Sequence, residues 1–202
     1  MSPNLCRTHV KYEKNRLTIR HLKLPGTADV LLAIVHFQSK LYWKETSQAQ
    51  ACVKLASEIQ DIEKEIGHSR TILVGDLNMN PFEDGVISAM GLHGVMCKNV
   101  AKKKMRTIDE DRYPFFYNPM WSHFGDGKSI PPGTFYYSNA EPVVFFWNMF
   151  DQVLVRPDLL NAFSNDSLKI ITSVKEIPFL SSQGRPKKKI SDHLPLLFKL
   201  NL

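Results

Sequence analysis

The stretch from Thr71 to Gly85, TILVGDLNMNPFEDG, changes character halfway along. Ile72, Leu73 and Val74 form a short apolar run with strand-forming character, closed by Gly75. Asp76 and Asn78 follow two apart, an acid and an amide of the kind that hold metal or phosphate. Side chains two apart on extended chain share a face, so on this reading both leave the strand on the same side. Taken alone, GDLN also fits a plain strand exit closed by an Asx turn.

The flanking segments set this strand in an α/β pattern. Upstream, KETSQAQACVKLASEIQDIEKEIG places Ala49, Cys52, Val53, Ala56, Ile59, Ile62 and Ile66 at three- and four-residue spacings, which predicts a helix. Ser47 with Gln50 has the form of a capping box, and Gly67 is placed to stop the helix. Before it, RLTIRHLKL, the turn PGTAD and the apolar run VLLAIVHF predict a hairpin whose second strand is buried on both faces. Strand, helix and strand again imply an α/β fold with functional groups at a strand's end.

Between Lys98 and Val143, aromatic, proline and glycine residues predict long connections with little regular structure. MFDQVLV and HLPLLFKL then read as strands. With no internal repeat or low-complexity segment, a single domain over residues 1–202 is expected.

A chain of 202 residues that is 43% hydrophobic has material for a sizeable core. No apolar run reaches the length of a membrane span, and MSPNLCRTHV lacks a signal-peptide pattern, so a soluble cytoplasmic protein is expected. Cys6, Cys52 and Cys97 fit neither a disulfide framework nor a CxxC metal site and read as reduced thiols. The formal net charge of +6 points to an anionic partner. Lys98 to Arg106 holds Lys102, Lys103 and Lys104, and GRPKKK holds Arg185 with Lys187, Lys188 and Lys189. Each cluster is either a phosphate-neutralising surface or a solvated loop.

Four sites place a polar residue of catalytic type at the end or edge of an apolar run: His36 in AIVHFQS, Asp76 and Asn78 in LVGDLN, Asp151 in MFDQVLV, and Asp192 with His193 in SDHLPL. Each alone has an ordinary structural reading. Their ordered combination resembles the endonuclease/exonuclease/phosphatase superfamily, over roughly Arg16 to Leu200.

That resemblance implies a DNase I-like four-layer sandwich of two packed mixed sheets flanked by helices. It also implies a divalent-metal-dependent phosphoesterase, foremost a nuclease, using Mg²⁺ or Mn²⁺. In such a site Asp76 orients or deprotonates the attacking water, Asn78 donates to the developing charge, and His36 donates to a phosphate oxygen. His193 contacts the scissile phosphate with Asp151 fixing its tautomer, and Asp192, with Asp76, holds the metal.

In the superfamily, an opening strand bears an Asn and a following strand ends in a Glu that ligates the metal; neither is found here. Asn4 lacks a preceding apolar strand and Glu13 sits in the charged KYEKN. The domain therefore looks N-terminally truncated, and sheet edges exposed by missing strands would favour self-association. Lys102 to Lys104 and Lys187 to Lys189 are the candidate contacts to a nucleic-acid substrate. Tyr113, Phe115, Phe116, Tyr117 and Trp121 are either stacking partners for single strands or ordinary core. The competing reading is a catalytically impaired module that binds phosphate or nucleic acid, and a third is a phosphoesterase of phospholipids or inositol phosphates.

Overall fold

The chain's two most apolar runs become neighbours at the middle of its sheet. The structure is a computed structural model that describes residues 7–14, 16–126 and 131–202. The elements run β1 (Arg7–Lys14), β2 (Leu17–Lys23), β3 (Val30–His36), α1 (Glu45–Ile66), β4 (Thr71–Asp76), α2 (Asp84–Ile87), β5 (Gly94–Val95), α3 (Lys98–Ala101), β6 (Met105–Ile108), β7 (Asp111–Pro114) and β8 (Phe116–Tyr117). They continue with β9 (Phe135–Tyr136), β10 (Trp147–Asn148), β11 (Asp151–Val155), β12 (Lys169–Ile170), β13 (Ser173–Val174), β14 (Ile177–Pro178) and β15 (Leu196–Leu197).

Seven strands form one mixed sheet in the order β1-β2-β3-β4-β11-β8-β5. The expected hairpin is β2 with β3, antiparallel. The crossover through α1 makes β3 and β4 parallel, and β11 enters antiparallel on the far side of β4. The late segments pair only two by two, β9 with β10, β12 with β15 and β13 with β14, so the described residues form no second continuous sheet of the kind expected for a sandwich. HLPLLFKL contributes only the two strand residues of β15.

The sheet is buried on both faces where β4 and β11 lie, which explains their unbroken apolar character. On one face Cys52, Leu55, Ile59 and Ile62 of α1 cover Ile19, Leu31, Ala33, Leu73 and Leu154. On the other, Ile72, Val153 and Val155 pack with Met120, Met149, Leu159, Phe163 and Leu168. The expectation that the Val30–Phe37 run is buried throughout holds for Val30, Leu31, Ala33, Val35 and Phe37, while Ile34 is 41% exposed on the face away from α1.

The sheet's β1 edge carries Arg7, Lys11, Glu13 and Lys14, a charged border that discourages edge-to-edge pairing. Of the sheet's exposed apolar groups, Val10 sits among these charges on β1 and Ile34 lies on β3.

Helix α1 starts at Lys44–Glu45 with no side-chain cap, so Ser47 lies inside the helix and no capping box forms. Its C-terminus is as expected: Gly67 adopts φ 83 and donates its N–H to the Glu63 carbonyl. Inside the same helix, Glu63 accepts a 2.9 Å bond from Arg156 Nε, while the Arg156 guanidinium lies 3.8 Å from the Phe116 ring centroid. This buried pair ties α1 to the end of β11 that is remote from Asp151.

Cys52 and Cys97 are free thiols, and burial pushes the Cys52 thiol up to about 12; Cys6 lies outside the described residues. Among the described residues no helix is long and apolar enough to cross a membrane.

Gly75 is required by the strand that precedes Asp76. Its φ is +139, and a Cβ built there would stand 1.9 Å from the Val35 carbonyl oxygen of the neighbouring strand. Gly75→Ala is expected to destabilise the protein by at least about 2 kcal/mol through backbone strain and forced strand separation. Urea unfolding monitored by circular dichroism measures this, and an unchanged midpoint would contradict the packing described.

Candidate active site

Three adjacent strands bring their functional residues to one level. In the parallel β3–β4 ladder His36 is the register partner of Asp76, and in the antiparallel β4–β11 ladder Asp151 is the register partner of the same Asp76. Register partners on neighbouring strands point to the same face, so His36, Asp76 and Asp151 form a row at the sheet's end. The apolar positions alternating with them set that face: Leu73 and Leu154 turn to α1, while Ile72, Val153 and the row turn away from it.

The fourth member arrives from the end of the chain. His193 Nδ1 lies 2.7 Å from Asp151 Oδ2. Phe135 forms an isolated bridge with His193 and tilts its ring 4.8 Å from the imidazole. Buried Thr134 completes the clamp: its Oγ1 accepts the Asp151 N–H at 3.1 Å, and its carbonyl accepts the Leu194 N–H at 2.8 Å. The His36 Nε2 to Asp76 Oδ2 separation is 3.7 Å, with the His36 side chain 76% exposed and the Asp76 side chain 16% exposed.

Asn78 does join Asp76, though not by strand parity. β4 ends at Asp76, and Asn78 has φ 50, a left-handed conformation outside the strand. Asp76 Oδ1 accepts the Asn78 backbone N–H at 2.7 Å, an Asx turn. Asn78 Nδ2 then donates to Asp76 Oδ2 at 2.8 Å and to the Phe37 carbonyl at 3.0 Å. Both amide hydrogens are thus engaged, and in this arrangement Asn78 holds Asp76 in place.

Asn80, two residues on in the same motif, is fully buried. It donates to Asn148 Oδ1 and accepts the Met149 N–H, tying the motif to the end of β10 and the link that leads to Asp151.

The site's electrostatics follow from burial and shared charge. Burial, then the nearby Asp151 carboxylate, raises the Asp76 pKa above the usual carboxylate range, with the Asn78 N–H opposing. For His193, burial works against the charged form, but the Asp151 hydrogen bond and the charges of Asp151, Asp76 and Asp192 outweigh it and raise the pKa. Asp76 and His193 are thus both shifted toward the protonated form.

A divalent ion fits this set poorly. Asp192 is exposed beside His193, and each Asp76 oxygen accepts one bond from Asn78, which leaves one lone pair apiece. Among the described residues no group of three or more His, Cys, Asp or Glu side chains is placed to hold a metal ion.

The basic clusters part company. Lys104 pairs with Asp158 at 2.8 Å, and Asp158 accepts from Ser69 just before β4, so Lys102 to Lys104 lie by the end of the strands remote from Asp76. Lys187 to Lys189 lie close to the site. Lys187 donates its N–H to the Phe179 carbonyl, Ser191 donates to the Lys187 carbonyl, and Ser191 Oγ accepts the His193 N–H. Of the aromatic candidates, Phe115, Phe116 and Tyr117 are core residues, and Tyr113 and Trp121 are half-buried.

Sequence reasoning passed over Thr134 and Phe135, which sit in an aperiodic, proline-rich stretch with no pattern to mark them. Asn80 was legible within GDLNMNP, but nothing local distinguished it from a turn residue.

No protein-family model matches the chain, and no curated protein matches it. Solved structures similar to it include the human Nocturnin catalytic domain with bound sulfate anion, at 16% identity and TM-score 0.49, covering 96% of this chain and 56% of that one. An endonuclease/exonuclease/phosphatase family protein from Bacteroides thetaiotaomicron is similar at 18% identity and TM-score 0.46, covering 91% of this chain and 54% of that one. The 3' phosphatase NExo from Neisseria, bound to a product DNA hairpin, is similar at 14% identity and TM-score 0.45, covering 100% of this chain and 73% of that one. The chain spans about half the length of the first two. The family that the ordered motifs resemble is thus represented among the structures similar to this chain.

The His193–Asp151 pair gives a direct test of the geometry. In the wild type the His193 imidazole is expected to titrate above its ordinary value of 6.5. Asp151→Asn is expected to lower that midpoint, because the burial that disfavours the cation remains while its main partner charge is lost. The stability contributed by the pair is expected to be fully present below the unfolded-state value of about 6.5 and to fade as pH rises through the higher folded value. Histidine proton NMR measures the midpoint; an unchanged value in Asp151→Asn would contradict the pairing.

Proposed function

We propose that this chain carries the acid–base centre of a phosphoester hydrolase acting on phosphodiesters, with nucleic acid as the substrate class. The observation that carries this reading is the registered row His36, Asp76 and Asp151, with His193 bonded to Asp151. Such a row offers one base, one acid paired with a carboxylate and one exposed imidazole at the same end of the sheet.

Asp76 retains a free lone pair on each oxygen after the Asn78 bonds and takes a proton from the attacking water. The water oxygen forms the new bond to phosphorus as the bond to the leaving oxygen breaks. Protonated His193 gives its Nε2 proton to the departing oxygen, its ring oriented through Nδ1 by Asp151. His36, largely exposed, donates to a phosphoryl oxygen that gains charge. Lys187, Lys188 and Lys189, which the turn through Ser191 joins to His193, neutralise neighbouring phosphates. The Mg²⁺ or Mn²⁺ implied by the superfamily resemblance finds no complete ligand set among the described residues.

That same shortfall favours one second reading, a module that grips phosphate through His36, His193 and the 187–189 lysines without turning it over.

Hydrolysis of a generic phosphodiester, and of single-stranded and duplex oligonucleotides, by the purified chain with Mg²⁺, Mn²⁺ or chelator tests the proposal. Turnover is expected to fall on the order of 10²- to 10³-fold in Asp76→Asn and in His193→Ala. Because the base must be unprotonated and its pKa is raised, the rate should decline on the acid side at a pH above the ordinary carboxylate range. Full turnover in Asp76→Asn would refute the assigned base. Salt-dependent binding of oligonucleotide with no hydrolysis under any cation would establish the module instead.

A further inference from the structure

Every exposed Phe, Tyr or Trp among the described residues lies in one of two loops at the catalytic end of the sheet. Tyr42 and Trp43, 87% and 40% exposed, belong to the segment that follows His36. Tyr137, Phe145 and Phe146, 46%, 54% and 48% exposed, belong to the connection between β9 and β10. A scattered exposed aromatic needs no explanation, but confinement of all five to one end of the molecule marks an interaction surface.

Both loops are built onto the site. The first begins at Phe37, whose N–H donates to the Asp76 carbonyl and whose carbonyl accepts from Asn78. The second springs from Phe135, which packs on His193. They lean on the same turn after Asn80: Lys40 Nζ is 2.6 Å from Glu83 Oε2, and the Phe145 ring centroid is 5.3 Å from that of Phe82. Phe146 holds φ 62, a conformation that a bulky residue rarely adopts, so its ring is set outward at a local conformational cost.

Cations border the same surface. The Arg185 guanidinium lies 4.5 Å from the Tyr136 ring centroid, and Lys44, Lys188 and Lys189 are exposed nearby in sequence to the two loops and His193. Flat apolar rings interleaved with cations are what unpaired bases on a phosphate chain require, since each base offers a π-face and each linkage a charge. A duplex hides those faces. A lipid surface fits less well, because exposed Glu141 lies in the second loop and exposed Glu45 directly follows the first at the start of α1.

We propose that the two loops form a stacking platform for unpaired bases of single-stranded nucleic acid, placed so that the phosphate between them reaches His36 and His193. The proposal rests on the phosphodiester reading of the site for its orientation, but base stacking is measured without turnover.

The test is anisotropy of the whole chain with a labelled oligothymidylate of about ten nucleotides, in chelator. An abasic strand of equal length, a duplex and phosphatidylserine-containing vesicles serve as the competing probes. The single strand is expected to bind about tenfold or more tightly than the abasic strand or the duplex, and Tyr42→Ala and Phe145→Ala are each expected to weaken it roughly tenfold. Tyr42→Trp should retain affinity. Tyr42 is exposed enough that its loss leaves folding untouched, so the test survives if Phe145→Ala, which also loses Phe82, disturbs the loop.

Equal affinity for base-bearing and abasic strands would overturn the proposal, as would capture by vesicles with no oligonucleotide binding. Oligonucleotide binding with this pattern but no hydrolysis would sink the catalytic reading and leave the platform standing.

Discussion

The site depends on one constraint, the register of β3, β4 and β11. Hydrogen bonding fixes His36 opposite Asp76 and Asp76 opposite Asp151, and a slip of one residue in either ladder would turn a member of the row to the α1 face. Burial makes such a slip costly, because Leu73 and Leu154 would leave one core while Ile72 and Val153 left the other. Gly75 permits the close approach to Val35 just where the row begins. The apolar alternation of three strands thereby aims three polar side chains at one point.

Around that row the protein divides its polar interactions by purpose. At the remote end Arg156, Glu63 and Phe116 form a buried clamp that satisfies its charges internally. At the site end, buried amides do the holding: Gln48 donates to the Gln38 and Asn78 carbonyls, Asn80 ties the GDLN turn to Asn148 and Met149, and Gln152 donates to the Met79 carbonyl. These neutral groups fix geometry without competing for the charge of Asp76. The carboxylate itself is left short of solvent and beside a second acid, which is why it takes a proton readily. A group held in its less comfortable charge state by its surroundings is a means of acid–base catalysis as well as a cost to folding.

Much of this was legible in the chain. The hairpin, α1 with its Gly67 stop, β4 and β11 are periodic segments whose burial pattern decides their form. His36, Asp76, Asp151 and His193 were legible as polar residues at the ends of apolar runs, and the structure brings all four together. What escaped was set by tertiary contacts. The partnership of Asn78 with Asp76 comes from a left-handed turn, which the period-two pattern of a strand misassigns. For Phe115 and Phe116 the sequence left stacking surface and core both open, and the fold buries them at β8 and its approach, whereas Tyr42 and Phe145 stay out. The two lysine clusters are alike in composition, and only the Lys104–Asp158 pair and the turns from Lys187 to His193 separate them.

The most direct measurement of the central claim is histidine NMR of the whole chain during titration with a nonhydrolysable dinucleotide phosphorothioate, with signals assigned by His36→Asn and His193→Asn. If the row is a phosphate site, the His36 and His193 imidazole signals move together along one saturating curve, while His9, which lies on the β1 edge strand, stays still. If neither signal moves, or only one does, the four residues do not act on a common phosphate and the functional reading of the row is wrong.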